Sequence, residues 1–250
     1  MNGQRPAAGF LIGTAMLLVL WQVAALLVNR PILPSPLTVV PLFVRDIGGE
    51  LGLHFLASTA RVLAAIALAT MFATPLGLIL GQSKMLDRLC GPLIAIIYPI
   101  PKIIFLPVIY VLIGISDFSK ILLIAIIIFF QILVVVRDEA AGLRPELILS
   151  VKSLGAGRRA LFRYVYLPAS LPAVLTALRV SVGTAIAVLF IAEQSLTNYG
   201  LGYYIVIETY QVLRYPQMYT GIMAMGLLGL ALYLVIQTIE RRFCKHRFVS

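Results

Sequence analysis

The chain has 250 residues, 61% of them hydrophobic and only 12% charged, with Lys and Arg outnumbering Asp and Glu 20 to 10 for a net charge of +10. A soluble domain is about half apolar and about a quarter charged, and the mean hydropathy here is +1.01, so an ordinary soluble globule and a disordered chain are both excluded. Long apolar runs following one another closely also exclude a single anchor carrying a soluble domain, which leaves one polytopic membrane domain over residues 1–250.

The basic excess fits the loops of a membrane protein better than a nucleic-acid partner. Cys90 and Cys244 make no disulfide framework, and His54 and His246 cannot build a metal site by themselves.

Six apolar spans are expected, near 10–28, 57–80, 89–114, 121–136, 169–193 and 219–239. The first is followed by Asn29-Arg30-Pro31 rather than a small-residue cleavage site, so it reads as a span and not a signal peptide. Three prolines in Pro31-Ile32-Leu33-Pro34-Ser35-Pro36 forbid a continuous helix. A short amphipathic segment over 38–53 follows, and Gly48 and Gly49 end any helix there early.

The third span holds Tyr98-Pro99-Ile100-Pro101-Lys102 and then Pro107, which predicts a broken helix. Its freed carbonyls and its ammonium must face protein or a watery path. Lys102 either attracts an anion or extends its stem to the interface. With the N-terminus placed in the cytoplasm, thirteen of the twenty basic residues fall inside. Only Arg30, Arg45, Lys120 and Arg214 fall outside, and Arg61, Lys102 and Arg179 fall within spans. The bias puts both termini in the cytoplasm.

The stretch from Arg137 to Pro168 is the longest cytoplasmic one. Pro145 and Glu146 suit the first turn of a helix, and apolar positions 147, 148, 151 and 154 recur at helical spacing. Gly155 and Gly157 interrupt it, and a second short amphipathic helix is expected over 158–166, with Pro168 opening the next span. From spacing alone this helix–glycine–helix elbow is either a docking surface or an amphipathic segment on anionic lipid.

Within the fifth span Arg179 needs a partner or water, and a structural ion pair is the better reading than substrate contact. Glu193 closes that span, where a helix-terminal hydrogen-bonding role suits it better than an anion site, and Arg61, at matching depth, is its expected partner. Asn198-Tyr199-Gly200-Leu201-Gly202 is an apolar, glycine-rich loop suited to an outer gate. The gap in Gly77-Leu78-Ile79-Leu80-Gly81 permits close helix packing.

The elbow resembles the loop of bacterial ABC importer permeases, in the register that puts its conserved triplet at Leu149-Ser150-Val151, its glycine at Gly155, its aliphatic residue at Val165 and its final pair at Leu167-Pro168. The acidic residue of that triplet is missing here. Lys152-Ser153-Leu154-Gly155-Ala156-Gly157-Arg158-Arg159, Leu167-Pro168-Ala169-Ser170-Leu171-Pro172, Ala192-Glu193, Gly200-Leu201-Gly202, Leu33-Pro34-Ser35-Pro36, Pro75-Leu76-Gly77 and Tyr98-Pro99-Ile100-Pro101 are similar to the nitrate/taurine/alkanesulfonate branch of these type I permeases.

The resemblance implies an all-helical, six-span permease with a cytoplasmic coupling segment over 145–167, in a bacterial inner membrane. It further implies a second permease copy, forming a homodimer, two cytoplasmic ATP-binding subunits that hold ATP and Mg, and a periplasmic or lipid-anchored substrate-binding protein. Ser153, Leu154, Gly155, Ala156, Arg158 and Arg159 then carry the coupling. Pro101, Lys102, Arg179, Glu193, Asn198 and Tyr199 are the candidates for the path or gate. The residues contain no Gly-x-x-x-x-Gly-Lys-Ser/Thr loop, so ATP would be hydrolysed on another chain. The alternatives are an ATP-independent secondary transporter or channel, and a non-transporting anchor. An intramembrane enzyme has neither histidine nor paired carboxylates in its spans to work with.

Overall fold

The structure is a computed structural model that describes residues 6–194 and 196–243. Arg5, Cys244, Lys245, His246 and Arg247 lie outside the described residues. Helices are α1 (Pro6–Val28), α2 (Pro36–Asp46), α3 (Glu50–Gln82), α4 (Lys84–Ile97), α5 (Leu106–Ile113), α6 (Asp117–Ala141), α7 (Pro145–Ser153), α8 (Arg158–Leu161), α9 (Leu167–Glu193), α10 (Leu201–Tyr203) and α11 (Tyr215–Phe243). Among the described residues there is no strand.

Five helices are long and apolar enough to cross a bilayer, and α4 with α5 makes a sixth candidate bent by 81° at its break. The bend falls where Pro99 and Pro101 remove two backbone donors in succession. A short 3₁₀ turn, Lys102–Phe105, leads out of it. The second span is longer than its apolar pattern. α3 begins at Glu50, directly after the turn at 47–49, because an acidic residue in the first turn suits the positive end of a helix. Residues 50–53 therefore belong to that span and not to the surface helix α2, which ends at Asp46 ahead of the two glycines.

A second difference concerns the elbow. The expected separate helix over 158–166 is the start of the fifth span, which runs as one helix over Arg159–Glu193. Pro168 would break an ordinary α-helix, since it lacks an N–H and its ring meets the carbonyl four residues back. The chain meets this with a π-helical turn, Phe162–Tyr166, in which the Leu167 N–H bonds to the Phe162 carbonyl.

The chain divides into two compact units, residues 1–57 with 193–226 and residues 58–192 with 227–250. In the larger unit α6 supplies the core. Ile124, Ile128, Ile132, Val136 and Ala140 recur every fourth residue and are buried, the stripe expected of a helix packed along one face. Gly77 and Gly81 of α3 let that backbone lie against α6. A Cβ at Gly77 would sit 3.0 Å from the Leu133 carbonyl oxygen, and one at Gly81 would sit 2.6 Å from the Ala140 Cβ.

In the smaller unit Trp21 of α1 donates its indole N–H to the Pro34 carbonyl (3.1 Å) and stacks on Tyr219 (centroids 5.6 Å apart). Most of α1 otherwise turns apolar side chains such as Leu17, Leu20 and Leu27 outward.

Gly81→Leu is expected to destabilise the protein by about 1–3 kcal/mol or more through overpacking. Gly183→Ala, where a Cβ meets nothing within 4 Å, should be close to neutral. Thermal unfolding of the two variants in detergent separates these outcomes.

Candidate functional site

The elbow begins with α7, whose described side chains are none of them buried by the chain itself. Leu147 and Leu149 are exposed, and Leu154 at the tip is 85% exposed. Ser150 and Ser153 turn their hydroxyls onto the helix backbone, at the Glu146 and Ser150 carbonyls (both 2.8 Å). Gly155 then takes φ +82°, a left-handed conformation that costs a glycine little. Its N–H closes the turn on the Lys152 carbonyl (2.9 Å).

Ala156 is half-buried and Arg159 exposed, and the Arg158 side chain lies outside the described residues. On the second arm Leu161, Val165 and Tyr166 are buried, which roots that arm while α7 stands free. The apolar side chains of the elbow thus divide into a buried root and an uncovered tip.

At the break in the third span Lys102 is buried and turned back onto the helix it follows. Its ammonium donates to the carbonyls of Ile97 (3.0 Å), Tyr98 (2.9 Å) and Ile100 (3.2 Å). It also lies over the Phe130 ring, 4.6 Å from the centroid. All three of its donors are matched by carbonyls at the break, where the Ile97 carbonyl also accepts the Ile100 N–H (3.2 Å). The charge caps the end of α4. Pro101 and Lys102 do line a cavity of about 360 Å³, together with Tyr98, Phe130, Gln131 and Val188.

Arg179 has different partners in the same unit. Its Nε lies 3.1 Å from Glu240 Oε2, and Glu240 Oε1 accepts from the Thr176 hydroxyl (2.8 Å), which ties α9 to α11. Arg61 gives Asp117 two hydrogen bonds, through Nε (2.9 Å) and Nη2 (2.7 Å), and Arg137 pairs with Asp87. Asp87, Asp117 and Glu240 escape a reading by spacing because each partner lies on a different helix.

The remaining candidates gather in the smaller unit. Glu193 is fully buried, and its Oε2 accepts from the Gly202 N–H (3.0 Å). Gly200, at φ +139°, makes the turn before α10. The Tyr199 ring lies 5.5 Å from that of His54, and Asn198 is exposed. The six path or gate candidates fall into three groups. Pro101 and Lys102 share one cavity, Arg179 belongs to an interhelical ion pair, and Glu193, Asn198 and Tyr199 frame one loop.

These features place the protein in a known class. The family described as binding-protein-dependent transport system inner membrane component matches residues 73–245. An ABC transporter permease protein of Methanocaldococcus jannaschii is 32% identical over 236 residues, covering 92% of this chain and 88% of that one. The taurine transport system permease protein of Escherichia coli (strain K12) is 30% identical over 240 residues, covering 92% and 87%.

The fold is that of the methionine ABC transporter solved in inward-facing conformations. The two superpose with a TM-score of 0.64 at 19% identity, over 78% of this chain and 96% of that one. The chain belongs to the ABC importer permeases of this family and is a multi-pass inner-membrane protein.

Lys102→Met keeps the apolar stem and removes the three donors. Each buried acceptor left unmatched costs about 1–3 kcal/mol, so this variant should unfold well below the wild type in a detergent melt. Glu193→Gln retains an acceptor for Gly202 and should melt within about 1 kcal/mol of it.

Proposed function

We propose that this permease imports a small organic or inorganic anion, such as nitrate, taurine or another sulfonate, in a complex driven by ATP hydrolysed on separate subunits. In this reading two copies of the chain pair. Each seats its elbow, residues 145–167, in a cytoplasmic ATP-binding subunit, and a periplasmic or lipid-anchored binding protein delivers the anion to the opposite face. Both termini lie in the cytoplasm. ATP and Mg belong to the partner subunits, and this chain holds no ATPase site.

The observation that carries the reading is the elbow. α7 offers uncovered leucines beside exposed Arg144, Lys152 and Arg159, a surface with an apolar centre and a basic rim of the kind that docks into a partner. The tip connects through Gly155 to a single helix of 35 residues, about 50 Å long at about 1.5 Å per residue. Force applied at Leu154 or Gly155 thus enters a rod that extends through the membrane. Closure of the two ATPases moves both elbows, and the rods swing as rigid bodies between inward- and outward-open arrangements. The taurine permease relative supports the choice of a small anion.

Leu154→Asp changes only an exposed position, so the protein should insert and melt as the wild type does. Its co-purification with the ATPase and its coupled ATP hydrolysis in reconstituted vesicles should fall at least about tenfold, the equivalent of one lost contact of about 1.4 kcal/mol. Gly155→Leu, strained at φ +82°, should act in the same direction. An assembled complex with unchanged coupled hydrolysis in both variants would show that the elbow is not the docking element.

A further inference from the structure

One group of side chains in the smaller unit takes no part in the elbow or in the break. His54, near the start of α3, is fully buried and stands among the rings of Tyr199, Tyr203 and Tyr204, with centroids 5.5, 6.1 and 5.3 Å away. Its Nε2 lies 3.1 Å from Glu208 Oε2. Glu50 sits one helical turn before His54, where side chains share a face. One potential ligand atom from each of Glu50, His54 and Glu208 lies within 4.8 Å of the other two.

We propose that Glu50, His54 and Glu208 form a binding site for a divalent transition ion of the zinc class. Three features point there. The first is electrostatic. The Glu50 and Glu208 carboxylates stand beside the same imidazole, with one ligand atom of each within 4.8 Å of the others, so a cation between the two acids relieves their mutual repulsion. The arginines lining the adjoining cavity are Arg45 and Arg214, and Arg45 is engaged by Asp46 (2.8 Å).

The second is the support behind the imidazole. Nδ1 lies 3.0 Å from the Gly200 N–H nitrogen and 3.1 Å from the Gly200 carbonyl oxygen. Without metal, Nδ1 accepts from that N–H, and Nε2 faces the Glu208 carboxylate at 3.1 Å. With metal, Nδ1–H donates to the carbonyl and the Nε2 lone pair faces the ion. A ring N–H held by a backbone carbonyl is the usual support for a metal-binding histidine. One glycine backbone thus serves both tautomers without moving the ring.

The third is room and chemistry. The cavity of about 540 Å³ that Glu50 and Glu208 line leaves space for a water to complete the shell. One imidazole with two carboxylates suits zinc and its neighbours, and it is a poor set for calcium, which takes six to eight oxygens. Bonds of about 2.1 Å in a tetrahedron place ligand atoms about 3.4 Å apart. The closure required is about an ångström, which rotation of the exposed Glu50 side chain supplies. The ion would tie the first turns of α3 to the π-helical segment Tyr204–Tyr210. None of this depends on the transport reading or on the elbow.

The test uses the full chain, purified in detergent with no histidine tag, stripped with chelator and titrated with cobalt(II) and then zinc. The expected result is about one cobalt per chain, with the visible spectrum of a four-coordinate nitrogen–oxygen site that zinc abolishes, and a zinc-dependent rise in melting temperature. Because His54 is buried, the carboxylates carry the mutational arm. Glu50→Gln and Glu208→Gln should each weaken cobalt binding by at least about 10–100-fold, the loss typical of removing even an outer-shell partner, and Glu50→Gln, at an exposed side chain, should leave the metal-free melting temperature unchanged. Absence of a stoichiometric cobalt spectrum overturns the proposal. So does a spectrum that both variants retain, since the ion would then sit elsewhere, for instance on the tail with Cys244 and His246.

Discussion

Hydrocarbon offers no partner to a peptide N–H or carbonyl, and the breaks in the helices of this chain are shaped by that constraint. Prolines create two of them. At 99 and 101 they break the third span, and the resulting carbonyls are met by the ammonium of Lys102, a residue of the same break. At 168 a proline falls just inside the fifth span, and a π-turn carries the helix past it. A lysine at membrane depth is costly in isolation. Here the charge and the carbonyls at the break each remove the other's penalty. Thr209 does the same on a smaller scale, donating to the Tyr204 and Ile205 carbonyls (both 2.9 Å) inside the second π-helical stretch.

The π-turn has a mechanical consequence. Had the chain bent freely at Pro168, the elbow would be a tethered appendage whose motion stops at the membrane surface. Because helical hydrogen bonding passes through the proline, the elbow's second arm and the fifth span are one body. The left-handed turn at Gly155, closed by its N–H on the Lys152 carbonyl (2.9 Å), joins α7 to that body. Stiffness below the tip and a glycine turn at the tip suit an element that transmits displacement.

Three ion pairs cross between helices within the larger unit. Arg61 with Asp117, Arg137 with Asp87, and Arg179 with Glu240 each join two helices. They fix which faces meet more than they add stability, since desolvation offsets much of the attraction. The Gly77 and Gly81 contact does the converse by letting the backbones of α3 and α6 approach without a charged pair.

The sequence by itself determined the membrane class, the number of candidate spans, the break at residues 98–102 and the glycine elbow at 155–157. Each is a local property: apolar length, proline position and glycine position act on their own stretch of backbone. Family membership was legible too, because its motifs are short and contiguous. The tertiary structure alone decided what the charged residues do. Lys102 had no identifiable acceptor until the helix before it was known to end at Ile97. Arg179 and Glu240 lie on separate helices, and Glu50, His54 and Glu208 come from segments that meet only when the chain folds. A linear pattern carries no distances between remote segments, and electrostatic and hydrogen-bonding roles are set by distance.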